Sequence, residues 1–277
     1  MIMTYEVYAI RYAASGPRHP HENFISPDPH EQASPLDYFV WLIRGKGRDI
    51  LVDTGFGEAQ ARARKRNLLI DPAEALRRLG VAPDAIKDVI VTHLHYDHAG
   101  NLGSFPNARF HLQDREMQFA TGRCMGHGLL RHPFAIEDVV TMVRHVYEER
   151  VAFHDGDGEI APDITVHRVG GHSDGLQVVR VATPRGPVVI ASDAAHFYAN
   201  IERRNPFPIV YNIGDMMHGW QAVARLAGDH QRIIPGHDPR VCALYPNAGG
   251  EVQAFALHVC PRPSGSQDIV EQSRAKL

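Results

Sequence analysis

Four potential metal ligands fall within six residues of this chain, in His93-Leu94-His95-Tyr96-Asp97-His98. Imidazole nitrogen and carboxylate oxygen are the donors that borderline divalent cations such as Zn²⁺ accept. The residues before them, Asp88 to Thr92, form a short, largely apolar, β-branched run of the kind that makes a buried strand. Where such a strand breaks into a tight loop, His93 and His95 can turn one way while Asp97 and His98 swing another. One segment could then serve two adjacent cations.

Three more candidates sit at the ends of apolar runs further along. His172 follows Val169, Gly170 and Gly171; Asp193 follows VVIAS; His237 follows Ile233 to Gly236. Singly, a loop histidine is more often hydrogen-bonded than metal-bound, and 18 histidines in 277 residues make isolated pairs uninformative. The order of strand ends carries the signal. Asp53, closing the run Asp49 to Asp53 before Thr54 and Gly55, can cap the following segment or orient a metal-bound histidine from behind, and its residues alone favour the cap.

The elements that must position these groups are legible in outline. Thr4 to Tyr12 reads as a strand, and Ala13 to Pro35 as a long loop that serves either as a flap over a substrate or as a surface excursion. Asp37 to Arg44 and Asp49 to Asp53 read as a hairpin. Asp71-Pro72-Ala73-Glu74 opens a helix with a capping acceptor and a first-turn proline, and Gly80 closes it. Ala108 to Leu112 is a strand and Asp114 to Ala120 a helix. Phe134 to Arg150 has helical spacing through Ile136, Val139, Val140, Val143 and Val146. Strand signals recur at Val151 to His154, Ile164 to Val169, Leu176 to Ala182 and Val188 to Ala191, before a helix over Ile213 to Ala227. The glycine-punctuated Thr121 to Pro133, with His127, could cover a site or stabilise a homodimer.

Composition narrows the function classes. A net charge of -3, with 44% apolar and 22% charged residues, describes an ordinary soluble protein and gives no electrostatic reason to expect a nucleic-acid partner. No run approaches a membrane span, and no basic, apolar leader opens the chain. Cys124, Cys242 and Cys260 are widely spaced, as incidental thiols in a reducing compartment are, which makes cytoplasmic the default location. Ala275-Lys276-Leu277 resembles a peroxisomal address only by a short coincidence. No linker divides the ordered chain, so one domain is expected over 1–260, with a polar tail over 261–277.

Taken together, Thr92-His93-x-His95-x-Asp97-His98 and the later His172, Asp193 and His237 resemble the metallo-β-lactamase superfamily, over roughly Leu51 to Asp238. The resemblance implies an α/β (α+β) fold, a four-layer αββα sandwich with two metals at one edge. It implies that His93, His95 and His172 hold the first metal, that Asp97, His98 and His237 hold the second, and that Asp193 bridges them. Asp53 matches the superfamily's aspartate at the end of an early strand, which favours the orienting role. The metals are expected to be Zn²⁺, with Mn²⁺, Fe²⁺ or Co²⁺ also suited to the donors.

Within that superfamily, His-Leu-His-Tyr-Asp-His-Ala-Gly, Ser192-Asp193-Ala194 and Pro235-Gly236-His237-Asp238 look like the N-acyl-homoserine lactonases. This implies quorum quenching by a bridging hydroxide that attacks a lactone carbonyl, with Asp97 helping the proton to the leaving alkoxide. Such lactonases place a tyrosine three residues after the bridging aspartate. Here that position is His196, and Tyr198 follows two residues later, so either could donate to the substrate carbonyl. Phe24, His127 and Tyr211 are candidate substrate contacts. A glyoxalase II-like thioester hydrolase shares nearly the same ligands, but its basic C-terminal extension has no counterpart after His237. An RNA-processing nuclease, a flavodiiron protein and a mononuclear iron oxygenase fit less well.

Overall fold

The computed structural model describes residues 4–263. Along the chain run β1 (Glu6–Arg18), β2 (Ser34–Gly45), β3 (Arg48–Val52), β4 (Asn67–Leu68), β5 (Asp88–Ile90), β6 (Arg109–Gln113) and β7 (Val151–His154). They are followed by β8 (Gly158–Ala161), β9 (Ile164–Arg168), β10 (Gln177–Thr183), β11 (Gly186–Ser192), β12 (Ile233–Pro235) and β13 (Ala254–Ala256). The first sheet has the order β13-β1-β2-β3-β5-β6-β7, with β4 also pairing β1, and the second has the order β12-β11-β10-β9-β8.

Side chains of a strand alternate between its faces, so a strand apolar at every position must be covered on both. β2 is such a strand. Phe39, Trp41 and Ile43 pack with Val179, Val181, Val188 and Ile190 of the second sheet, making the core between the sheets. Tyr38, Val40 and Leu42 face the other way, towards Leu76, Phe119 and Met142 of the outer helices. β11 splits likewise, with Val189 and Ala191 meeting Val223 and Ala227 of the helix Ile213–Ala227. The result is the expected four layers, helix, sheet, sheet, helix.

The reading of local elements holds at the hairpin β2–β3, at the helix Pro72–Arg78 and at Ile213–Ala227. Asp71 accepts from the Glu74 amide at 3.1 Å, and Gly80 turns left-handed at φ 78° just past the helix end. Two readings need correction. The segment Ala13 to Pro35 is not one long loop: an irregularity between Arg11 and Ala13 resets the register, and β1 continues against β2 to Arg18 opposite Ser34, followed by a short helix Pro20–Asn23. The helix Ile136–Tyr147 buries Met142 and His145, while Ile136 is 74% exposed, so its apolar stripe is centred differently from the valine spacing. β8 and β13 carried too little apolar pattern to be read at all.

No helix of the described residues is long and apolar enough to cross a membrane. Of the expected tail over 261–277, residues 264–277, with the terminal Ala275-Lys276-Leu277, lie outside the described residues.

Candidate metal centre

All seven sequence-predicted ligands meet at one edge of the two sheets, each at most 9% exposed. β5 ends two residues before Thr92, and the short helix Tyr96–Ala99 turns Asp97 and His98 back under His93 and His95. His172 comes from the loop after β9, Asp193 from the end of β11, and His237 from the end of β12. Ser192 and Asp53 both adopt left-handed backbone, at φ 47° and 60°, so local strain is stored beside the cluster. Gly236 is required here, because a Cβ on it would fall 2.5 Å from Asp193 Oδ1.

The donors separate into two groups around one carboxylate. On the first side, His95 Nδ1 lies 3.1 Å from His93 Nε2 and 2.9 Å from His172 Nε2, and His172 Nε2 lies 3.2 Å from Asp193 Oδ2. On the second, Asp193 Oδ1 faces His98 Nε2 at 3.3 Å and His237 Nε2 at 3.0 Å. Asp97 stands within 3.9 Å of His98 Nε2 and 3.8 Å of His237 Nε2. Nitrogen and oxygen ligands about 2.0–2.2 Å from a cation lie roughly 3.3 Å apart along a tetrahedral edge, the spacing found here.

Hydrogen bonds on the far side of the rings fix the tautomers. His172 Nδ1 donates to the Ile209 carbonyl at 2.7 Å, His237 Nδ1 to the Asp37 carbonyl at 2.8 Å, and His98 Nδ1 to Asp53 Oδ2 at 2.7 Å. A carbonyl and a carboxylate can only accept, so in each neutral imidazole Nε2 is left as a bare lone pair. Those lone pairs point at the Asp193 carboxylate. Burial holds His93 and His95 well below the usual histidine range and pushes His172 down to about 3, which keeps these rings in their ligating form. His98 Nε2 and Asp193 Oδ1 are buried without a hydrogen-bond partner. The carboxylates of this buried cluster call for positive charge beside them: against the pull of burial, the Asp193 charge pushes His98 and His237 up, a cation would supply that charge in place of protons, and the donor set fits two divalent cations.

Asp53 does not cap. Besides His98, it accepts from the Thr92 amide at 2.7 Å and the Thr92 hydroxyl at 2.8 Å, tying the ligand loop to the end of β3. Sequence reasoning missed a second carboxylate of this kind. Buried Glu116 accepts from the Leu94 amide, the Ser173 hydroxyl and the Gly175 amide, joining the loop of His93 and His95 to that of His172. A lone glutamate in the first turn of a helix gave no signal. Burial raises its carboxyl to about 7.

His196 Nε2 lies 3.1 Å from Asp193 Oδ2, and its ring stacks on Phe207 at 3.6 Å with parallel planes. Tyr198 goes elsewhere: its ring packs against the core between the sheets with the Arg240 guanidinium 4.9 Å from its centroid. Phe24 is buried beside Phe197, 6.3 Å away, and Tyr211 is half-exposed, its ring tilted against Phe119 at 4.6 Å and its amide bonded to Gly171 and His172 carbonyls. His127 is exposed. An unanticipated neighbour is Tyr38, whose ring meets His237 edge-on at 5.2 Å.

Comparison with known proteins agrees with this geometry. The N-acyl homoserine lactonase AiiA of Bacillus thuringiensis subsp. kurstaki is 28% identical over 187 residues, 62% of this chain and 69% of the relative. The N-acyl homoserine lactonase AttM of Rhizobium radiobacter is 27% identical over 179 residues, 63% of this chain and 66% of the relative. Among solved structures, a quorum-quenching N-acyl homoserine lactone lactonase superposes with a TM-score of 0.72 at 23% identity, covering 86% of this chain and 94% of the other. The dizinc quorum-quenching lactonase AidC gives 0.67 at 16%, covering 85% and 88%. Residues 33–237 match the sequence profile of the Metallo-beta-lactamase superfamily, and the chain belongs to that superfamily.

Proposed function

We propose that this chain is a dinuclear metal-dependent hydrolase that opens lactone rings, with N-acyl-homoserine lactones as the leading substrates. The observation that carries the reading is the Asp193 carboxylate, whose two oxygens face two separate sets of buried donors. In this reading His93, His95 and His172 hold one cation, Asp97, His98 and His237 hold the other, and Asp193 joins them. When bound, two divalent cations supply water acidified towards neutral pH and a positive field for the oxyanion that develops on the carbonyl.

The chain's own residues then supply position and protons. Asp53 and the Asp37 and Ile209 carbonyls hold His98, His237 and His172 in the tautomer that presents Nε2. Asp97 has the most exposed side chain of the carboxylates in the cluster, at 11%, and is the group placed to pass a proton to the alkoxide as the ring opens. His196 is held by Phe207 with its Nε2–H directed at the Asp193 edge, where a substrate carbonyl bound beside that edge can accept from it. It takes the place of the lactonase tyrosine, and Tyr198 does not.

Proton release by the metal-loaded protein is the direct test, against short- and long-chain acyl-homoserine lactones, a simple γ-lactone and a glutathione thioester. Turnover of lactones supports the reading, and turnover of the thioester alone sinks it. His196→Ala is expected to lower kcat roughly 10²-fold, the usual loss of one oxyanion donor, with metal content intact. Tyr198→Phe is expected to leave turnover unchanged. The reverse pattern would move the donor to Tyr198.

A further inference from the structure

Two lines of contact lead out of the cluster, each ending at a guanidinium group. From His196 the stacked Phe207 ring leads to Arg18, whose guanidinium lies 5.4 Å from the Phe207 centroid. From His237 the Tyr38 ring leads to Tyr96, with the two hydroxyls 3.3 Å apart, and Arg66 Nε donates to the Tyr96 hydroxyl at 3.3 Å. Both lie along β1, since Arg66 donates to the hydroxyl of Ser15, three residues before Arg18 on the same strand; burial lowers the Arg18 guanidinium, Glu22 favours its charge and Arg66 disfavours it.

Neither arginine is spent on an ion pair among the described residues. Arg18 donates from Nε to the Asn23 amide oxygen and from its terminal nitrogen to the Glu22 carbonyl. Arg66 donates only to the Tyr96 and Ser15 hydroxyls. Each thus uses two of its five N–H groups, all on neutral acceptors. Of the carboxylates whose charge favours these two groups from a distance, Glu22 also accepts from the His19 amide, and Asp97 belongs to the metal centre. Arg64 is more engaged, donating to Gln60, His132 and Phe134 with its guanidinium 3.9 Å from the Tyr96 ring. Because Tyr96 donates to Tyr38, the Tyr38 hydroxyl proton also has no acceptor among the described residues.

Half-buried guanidinium groups with no carboxylate in direct contact keep N–H donors to spare, and their planar forks match carboxylate geometry better than any neutral acyl chain does. We propose that the preferred substrate of this site carries a carboxylate, received by Arg18 and Arg66 with the Tyr38 hydroxyl beside them. The inference rests on the hydrolase reading above and makes the substrate an acidic lactone or ester rather than a plain acyl-homoserine lactone.

A matched pair decides it: hexanoyl-homoserine lactone and its adipoyl counterpart, equal in length but ending in a carboxylate. The wild-type protein is expected to favour the adipoyl compound at least tenfold in kcat/KM, mainly through KM. In Arg18→Gln and Arg66→Gln that ratio shrinks, and in the double variant it collapses towards one, whereas Arg18→Lys/Arg66→Lys recovers part of it. Preference for the hexanoyl compound overturns the inference and leaves the lactonase standing. If neither lactone opens, the lactone reading fails, and calorimetry on the zinc-loaded protein decides the rest. Adipate binding at least tenfold tighter than its monoamide, with the gap lost in the double glutamine variant, upholds the arginine site. Equal binding refutes it.

Discussion

Asp193→Ala is expected to remove metal from both positions at once and to lower kcat/KM by at least about 10³-fold, several kcal/mol of lost electrostatic stabilisation. Its two oxygens are the only groups of the cluster that face both donor sets, at 3.2 Å from His172 and 3.0 Å from His237. Replacing His95 instead, whose ring nitrogen approaches the donors His93 and His172 on the first side, is expected to empty the first position before the second. Elemental analysis of the purified variants checks this: the wild type should hold close to two metals per chain, and Asp193→Ala close to none. Activity retained in a metal-poor Asp193→Ala protein would show that this cluster is not the reaction centre.

The second large effect is expected at Asp53, which meets no cation in the proposed arrangement. Asp53→Ala leaves the Thr92 amide and His98 Nδ1 without acceptors in a fully buried place, and it puts a Cβ-bearing residue without a local hydrogen bond at φ 60°. Two unsatisfied buried donors cost about 1–3 kcal/mol each, so a loss of about 3 kcal/mol or more is expected in chemical denaturation. Asp53→Asn separates the contributions. It keeps the shape and one acceptor, and asparagine tolerates left-handed backbone, so stability should fall less. Its amide cannot favour a basic His98 as a carboxylate does, and metal affinity should still drop about 10- to 100-fold in a chelator competition. An Asp53→Asn protein with unchanged metal affinity would return Asp53 to a purely structural role.

What could be read without coordinates was set by chemistry that is local in sequence. Strand ends carrying His93, His95, Asp97 and His98 announce themselves, and β2 is apolar at both odd and even positions, which only a strand covered on both faces can be. The donors that fix the rings were invisible for a physical reason. Two of them are the backbone carbonyls of Asp37 and Ile209, and any residue type supplies a carbonyl. Asp53 was misjudged from its own neighbourhood because a cap is a local bond, while its actual partner His98 is 45 residues away. Arg18 lay in the segment Ala13 to Pro35, read as a long flap or surface loop, and Arg66 in a stretch that carried no pattern to read. Only the continued pairing of β1 with β2 brings Arg18 beside Phe207. Tyr198 was a reasonable neighbour of His196 by count, yet two residues on, at the start of a helix, its side chain enters the core between the sheets.

The hydrogen bond between His237 and the Asp37 carbonyl spans 200 residues. It makes the second half of the centre a product of the finished topology. A nascent chain that has emerged just past β11 already owns His93, His95, His172 and Asp193, the donors proposed for one cation. It lacks the ring that closes the other. Long-range pairings of this kind form slowly, because the loop between them must be closed before any contact rewards it. In the proposed two-cation arrangement uptake is therefore expected to be ordered in time: the first donor set is available during synthesis, and the second is complete only after β12 has docked parallel to β11 and brought His237 against the start of β2.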